Sequence, residues 1–399
     1  MKRTIAITGV TGLLGRNILF EYLRIYLNDL SKTKFILFGR STKTISFKNR
    51  VIQLLNDDGI YYLNISQSKL KLLINELNDL IEFIEIDFGN TTLNNSVDLN
   101  KLKKNNIDVF YHAAANTNLN NNNTIRNLIE MSNIEGTKII LNLVDSLKVK
   151  RFCYFSSAYS TGKLKNRVSP DHISLERNFR NPYEYSKQFC EYLVRNYKFK
   201  KNTASFIFRT SILGGRLMEK KIGQIHKFDT FYGLSSFFLK TKESFTLEDE
   251  DIYKKQVSLN IRVLSNKNAK VNIIPADYAA KAVIDIMSSE YVAYNSFHLV
   301  NEKEVDILEQ IFKYLNIVGC KLVQTFPDNL NKLEILYYKS VGNIFTPYLD
   351  NEGIHYFDIT TLKNSLSPNI QCPALSDDHF KLLFDYAKEY DFGIRLSKK

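Results

Sequence analysis

Residues 8–15 read Thr8-Gly9-Val10-Thr11-Gly12-Leu13-Leu14-Gly15, between a short apolar run at 4–8 and an amphipathic stretch at 13–27. An apolar run that passes at once into helical periodicity is the pattern of a strand turning into a helix. Gly9, Gly12 and Gly15 lack a Cβ, so the chain can turn tightly, helix can pack close to strand, and backbone N–H groups can approach a phosphate. The spacing differs from G-x-G-x-x-G but serves the same geometry. A glycine triplet alone is also compatible with an ordinary strand–helix turn. The chain has only 16 glycines, and three at this spacing after the first strand favour the phosphate cradle.

The alternation continues outward from this turn. Apolar runs at 35–38, 81–86, 109–113, 152–156 and 205–209 are separated by longer segments, with amphipathic helices expected at 66–80, 124–147 and 182–197. Strands alternating with helices are successive βαβ units, whose strands pair in parallel and are covered on both faces. The expected fold class is α/β, a doubly wound parallel sheet. After Gly214-Gly215 the regularity stops, and residues 216–270 carry charge clusters without alternation, as a substrate lobe or mobile loop would. A strand at 271–274, a helix opened by Pro275 and Asp277 and ending at Met287, and a strand at 297–300 predict further strands for the sheet. Helical patterns at 305–315 and 378–390 predict a smaller, mainly helical C-terminal lobe. With no internal repeat and no Pro/Gly/Ser linker, the lobes should pack intimately.

A chain of 399 residues, 44% of them hydrophobic, can bury a large core and corresponds to about two to three domains. Its formal charge of +12 would suit an anionic partner. However, lysine and asparagine are spread throughout, as in the run 120–123, and no basic helix or aromatic-interleaved basic stripe stands out, so nucleic acid is not expected. Cys153, Cys190, Cys320 and Cys372 form no C-x-x-C pair and suggest reduced core thiols. His172, His226, His298, His355 and His379 have no metal-ligand spacing, and no metal is expected. Lys2-Arg3 and residues 4–14 superficially resemble a signal peptide, but three threonines and two glycines interrupt the run and no small-x-small site follows. No run approaches the ~18 apolar residues of a membrane span. The expectation is a soluble cytoplasmic protein.

The second strand ends in Phe38-Gly39-Arg40-Ser41. An acidic residue there would hold a ribose 2′-hydroxyl, whereas the planar fork of Arg40 suits a 2′-phosphate. NADPH is therefore expected over NADH, the alternative being a solvated arginine at a strand end. On this basis residues 1–215 should form an NADP-binding domain, 216–270 an insertion or substrate lobe, 271–301 a return to the sheet, and 302–399 a C-terminal substrate lobe.

Asn181-Pro182-Tyr183-Glu184-Tyr185-Ser186-Lys187 places a tyrosine and a lysine four apart, on one face of a helix beginning near Pro182. A nearby ammonium stabilises phenolate over phenol and so eases proton donation by Tyr183 to a developing alkoxide. In a chain with 23 tyrosines such a pair is common, and its place after the fifth strand gives it weight. That strand ends in Ser156-Ser157, where Ser157 rather than Ser156 is expected to hydrogen-bond a substrate carbonyl oxygen. The alternative is that both cap the strand end. His112 follows a buried strand beside three alanines and is expected to be a satisfied core histidine rather than a general base.

Together these residues resemble the extended short-chain dehydrogenase/reductase family, which has the Rossmann fold. The matching elements are Thr8-Gly9-x-x-Gly12-x-x-Gly15, Asp87 after the third strand, Tyr111-His112-Ala113-Ala114-Ala115 after the fourth, Asn133-x-x-Gly136-Thr137, Ser156-Ser157 and Tyr183-x-x-x-Lys187. They recur in order over about the first 215 residues. The resemblance implies that Gly9, Thr11, Gly12, Leu13, Leu14, Gly15 and Arg40 hold the NADPH phosphates, and that Asp87 and Phe88 lie against adenine. It further implies that Ala113, Ala114 and Ala115 line the cofactor cleft, Lys187 also binds the nicotinamide ribose, Asn133 supports the relay helix, and Ser211 with Ile212 closes over the carboxamide. Asn-x-Tyr-x-Tyr-Ser-Lys, Leu37-x-x-Arg40 and Arg50 are most similar to the thioester-reductase and fatty-acyl-CoA-reductase branch, the male sterility-like NAD-binding enzymes. Thr210 departs from that branch by replacing a proline.

That branch implies NADPH-dependent reduction of an acyl thioester, on coenzyme A or a carrier-protein arm, to an aldehyde or alcohol. An acidic acyl-carrier protein would then be a partner, and residues 216–270, with His226, Phe231, Tyr232, Phe237 and Phe238, would wall a channel for its arm unless those aromatics are core. Two other readings stand beside it. A nucleotide-sugar epimerase or hydroxy-ketone oxidoreductase would need only the Ser-Tyr-Lys set, but generally retains NAD, which Arg40 disfavours. A dinucleotide-sensing regulator would commonly have lost the tyrosine or lysine, and this chain keeps both.

Overall fold

The computed structural model describes residues 2–88, 92–93, 99–164, 167–174, 178–267, 269–350 and 356–396; His355 lies outside them. Eight strands form the main sheet: β1 (Arg3–Thr8), β2 (Thr33–Gly39), β3 (Ile81–Asp87), β4 (Thr92–Leu93), β5 (Asn106–His112), β6 (Lys148–Ser157), β7 (Ala204–Thr210) and β8 (Ser296–Leu299). Their order is β8-β7-β6-β5-β1-β2-β3-β4. Seven are parallel, and the short β4 runs antiparallel to β3 at one edge.

Successive side chains of a strand point to opposite faces, and here both faces are buried, which explains the unbroken apolar runs. Ile5, Ile7, Phe35, Leu37, Val109 and Tyr111 pack under the helices Leu13–Ile25 and Ala276–Ser288. Ala6, Ile36, Phe38, Phe110 and Phe152 pack on the other face, under the helices Gly136–Ser146 and Pro182–Asn196. The architecture is the doubly wound Rossmann sheet.

Three expectations differ in detail. The single helix expected at 124–147 is two helices, Asn123–Ile129 and Gly136–Ser146, joined by a π-helical segment, Glu130–Glu135, which leaves the apolar periodicity almost unchanged. The strand expected at 271–274 is Ile273–Pro275, and it pairs with Ile212–Gly214 as a separate ribbon, so of the two late strands only β8 joins the main sheet. Residues 216–270 contain a regular helix, Phe231–Glu243, obscured in the sequence by the charges at its end. Its Phe231, Tyr232 and Phe238 are buried against the helices Ile307–Tyr314 and Asp377–Glu389, with Phe237 packed at the margin. These aromatics are therefore core, not the wall of a channel.

Cys153 and Cys190 are buried, Cys320 and Cys372 partly so, and all four are free thiols. Among the described residues no helix is long and apolar enough to cross a membrane, and no cluster could hold a metal ion.

Candidate active site

Strand order reverses between β1 and β5, and in a doubly wound sheet the carboxyl ends of the strands at such a reversal border the ligand crevice. The glycine turn lies there. Gly9 has φ of +73°, and a Cβ on it would come within 2.6 Å of the Ala114 nitrogen. A Cβ on Gly15 would lie 2.3 Å from the Gly9 oxygen, to which the Gly12 N–H donates at 2.9 Å. Gly12 caps the helix Leu13–Ile25 without any side-chain bond, so the first-turn N–H groups at Leu13 and Leu14 are not covered by a capping side chain. Ala113 and Ala114 are held against the turn by bonds from their N–H groups to the Thr8 carbonyl (3.3 Å) and hydroxyl (3.2 Å), and Ala115 follows them.

Arg40 stands at the end of β2, its side chain 68% exposed and 3.3 Å from the Asp87 carboxylate. Arg50, on the helix Phe47–Leu54, donates to the Arg40 carbonyl at 2.6 Å and to the Thr11 hydroxyl at 3.3 Å. Two guanidiniums therefore flank the outer side of the turn. Arg50 was visible in the sequence only as a mark of resemblance; the local signal is a cation four residues after Ser46, which caps that helix. Asp87 engages Arg40, and Phe88 lies against Gly136, where a Cβ would come within 3.0 Å of its ring.

The Thr8 hydroxyl also bonds His112 Nδ1 at 2.8 Å, and His112 Nε2 bonds the Thr137 hydroxyl at 3.3 Å. Burial, with the Lys187 charge nearby, pushes this imidazole down to about 3. A neutral ring with both nitrogens occupied is a structural bridge, not a base.

Tyr183 and Lys187 lie on the helix Pro182–Asn196, which begins as its sequence predicts: Asn181 accepts from the Glu184 N–H at 3.0 Å, and Pro182 sits in the first turn. The Tyr183 phenol interacts with the Ser157 hydroxyl. Burial, and then the neighbouring Glu184 charge, raise its pKa above the usual tyrosine value, against the opposing influence of Ser157. The acidifying influence expected of Lys187 is not among the causes that set it. Lys187 Nζ lies 5.8 Å from the Tyr183 ring centroid and 5.0 Å from that of Tyr154, and donates to the Phe155 carbonyl at 2.7 Å. Burial lowers it to about 8, although Cys190 and Glu191 pull it up.

The two serines at the end of β6 have different partners. Ser157 accepts from the Tyr159 N–H at 3.1 Å and interacts with Tyr183, whereas Ser156 donates to Glu191 at 2.5 Å. Glu191 and Arg209, both with fully buried side chains, pair at 2.7 Å beneath the site, and Ser160 adds a bond at 2.9 Å. Asn133 holds the chain after Ala115 through Asn116 at 2.7 and 3.0 Å and reaches Ser186 on the Tyr183 helix at 3.0 Å. Ser211, directly after β7, is buried with its hydroxyl unpartnered, and Ile212 begins the ribbon with Ile273–Pro275. Ser157, Tyr183 and Lys187 thus come together, with the glycine turn and the arginines further along the same strand-end edge. A cavity of about 660 Å³ lined by Lys2, Lys148, Lys150 and Lys201 opens at the opposite ends of β5 and β6, away from these groups.

A sequence model of the male sterility protein family matches residues 7–283. A dTDP-D-glucose 4,6-dehydratase of Dictyostelium discoideum is 31% identical over 202 residues, covering 48% of this chain and 40% of that protein's length. Among solved structures, the terminal R domain from the myxalamid PKS-NRPS biosynthetic pathway superposes with a TM-score of 0.71 at 19% identity, covering 98% of this chain and 92% of that one. The reductase domain of a non-ribosomal peptide synthetase from Mycobacterium tuberculosis gives 0.66 at 15%, covering 98% and 93%. The UDP-glucuronic acid 4-epimerase of Bacillus cereus with NAD gives 0.58 at 17%, covering 97% and 99%. At these identities the likenesses establish the fold.

Proposed function

Because the chain belongs to the male sterility protein family and is an oxidoreductase of the extended short-chain dehydrogenase/reductase type, we propose that it reduces an acyl thioester to an aldehyde or alcohol with NADPH. The observation that carries the proposal is the meeting of Ser157 and Tyr183 beside Lys187 at the carboxyl end of β6. This is a donor pair placed where a carbonyl oxygen can receive both hydroxyls. The family model, and the likeness to R domains of peptide and polyketide assembly lines, favour a thioester as the carbonyl. The net charge of +12 would suit an acidic carrier protein as its bearer.

The cofactor cradle fits a dinucleotide. The turn leaves no room for a Cβ at Gly9 or Gly15, the helix end at Gly12 has no side-chain cap, and the exposed Arg40 and half-buried Arg50 stand where a 2′-phosphate would be received. NADPH supplies the hydride when bound. Ser157 and Tyr183 hold the carbonyl oxygen and stabilise its growing negative charge, and Tyr183 gives it a proton. Lys187 fixes the ribose and offsets the phenolate charge. Thiol then leaves. Ser211 and Ile212 close the nicotinamide end, while Phe88 with Ala113, Ala114 and Ala115 bounds the adenine side and the cleft.

The test is NADPH consumption by the purified protein across a panel of acyl-CoA and acyl-carrier thioesters. Turnover with at least one is expected. Tyr183→Phe should lower kcat by about 10²- to 10⁴-fold, and Arg40→Ala should weaken NADPH much more than NADH. If no thioester is reduced, the proposal fails. Tightly co-purified NAD alongside that failure would favour a nucleotide-sugar epimerase.

A further inference from the structure

Tyr183 occupies the first turn of its helix, so its aim depends on how that turn is held. Asn181 caps the turn through its side-chain oxygen, and its Nδ2 donates to the Tyr348 hydroxyl at 2.7 Å. Tyr348 belongs to a distant helix, Val341–Leu349. Its hydroxyl also interacts with the carboxyl of Glu184, the neighbour of Tyr183. Its ring stands edge-on to Tyr159 at 5.6 Å, and the Tyr159 N–H is the donor that holds the Ser157 oxygen. One ring therefore touches both segments that carry the donor pair. Arg180 completes the arrangement. Its guanidinium lies 5.0 Å from the Tyr348 ring centroid and bonds the Pro347 carbonyl at 3.0 Å, the Gly162 carbonyl at 2.8 Å and Glu184 at 3.3 Å. The Arg180 and Glu184 side chains are 1% and 0% exposed, a degree of burial that fixes geometry more than it adds stability.

We propose that Tyr348 is a positioning residue for the Ser157–Tyr183 pair, fastening the first turn of the Tyr183 helix to the Ser157 turn when the helix Val341–Leu349 is seated. The proposal rests on the reductase reading for its kinetic arm only. Removing Arg180 or Glu184 would strand a buried charge and threaten folding, whereas Tyr348→Phe keeps the ring and deletes the hydroxyl that serves both Asn181 and Glu184.

Tyr348→Phe should lower kcat roughly 10- to 100-fold, the order expected of a misplaced catalytic group, with thioester KM and NADPH affinity nearly unchanged. In a Tyr183→Phe background the same change should add no further loss, because Tyr348 acts through Tyr183. NMR of protein labelled with carbon-13 at the tyrosine Cζ atoms needs no substrate: the resonance that disappears in Tyr183→Phe should shift in Tyr348→Phe. An unchanged kcat, an equal loss in both backgrounds, or an unmoved Tyr183 resonance would each overturn the proposal. If no thioester is turned over, the reductase reading fails while the resonance still decides the role of Tyr348.

Discussion

Lys187 is useful to Tyr183 only while it carries a proton, and its surroundings make that proton easy to lose. Burial brings its amine down to about 8, whereas a solvated lysine titrates near ~10.4. The free enzyme should therefore lose the ammonium as pH rises through about 8, and kcat/KM for NADPH should fall above that pH. Lys187→Arg keeps its charge and should flatten this limb at a lower plateau. The stability effect of the same group has the opposite sign. Between about 8 and ~10.4 the unfolded chain holds the proton and the folded chain does not, so this group makes stability rise with pH in that window. A decline in kcat/KM above pH 8 with no loss of the folded state assigns the effect to the site; a profile flat to high pH would refute it. At this scale the Tyr183–Lys187 spacing was legible because four residues make one helical turn. That burial and the Glu184 charge, rather than Lys187, set the Tyr183 pKa was not, since it depends on what covers the ring.

The glycine turn was legible in full, because a strand, three glycines and a helix are consecutive in the chain and their geometry is local. Its steric demand gives a direct test. In Gly15→Ala the methyl would meet the Gly9 oxygen at 2.3 Å, and backbone cannot swing aside as a side chain can. The turn must open, costing about 1–3 kcal/mol as overpacking does, and NADPH affinity should drop at least about tenfold. Gly233→Ala is the matched control. Within the helix Phe231–Glu243 its methyl would meet only the Phe228 oxygen at 3.6 Å, so the change should be neutral or stabilise by roughly 0.5–1 kcal/mol. Wild-type NADPH binding by Gly15→Ala would dismiss the cradle. The π-helical segment at Glu130–Glu135 was not legible, because one wider turn barely alters the spacing of apolar residues, although it carries Asn133. The helix Phe231–Glu243 was hidden for another reason: its aromatic face meets partners far away in the chain.

The strand order depends on pairings between distant residues, such as Thr8 with His112, and the packing of the helix Leu13–Ile25 against Ala276–Ser288 on contacts more than 200 positions apart, none of which a local pattern reports. Lys281 is such a contact. Its ammonium lies 3.0 Å from Glu21 and 2.6 Å from Glu219, while Arg24 and Tyr62 also bond Glu21 at 2.7 and 2.9 Å. The Lys281 and Glu21 side chains are only 8% and 5% exposed, so the pair is little screened by solvent. Lys281→Met leaves Glu21 to Arg24 and Tyr62, and should cost about 2 kcal/mol, less than the ~3–5 kcal/mol of a fully stranded buried charge. Adding Glu21→Gln should recover part of that loss. Burial pushes the Glu21 carboxyl up, but the bond from Arg24 and the charge of Lys281 outweigh it, and its pKa ends below the usual glutamate value. The stability it confers is therefore present above the unfolded carboxyl value, ~4.3, and is lost as pH falls further. In urea titrations the gap between wild type and Lys281→Met should be widest near neutrality and narrow below about pH 4. A gap that keeps its neutral-pH size in acid would mean that Lys281 joins the two helices by packing, not through the Glu21 charge.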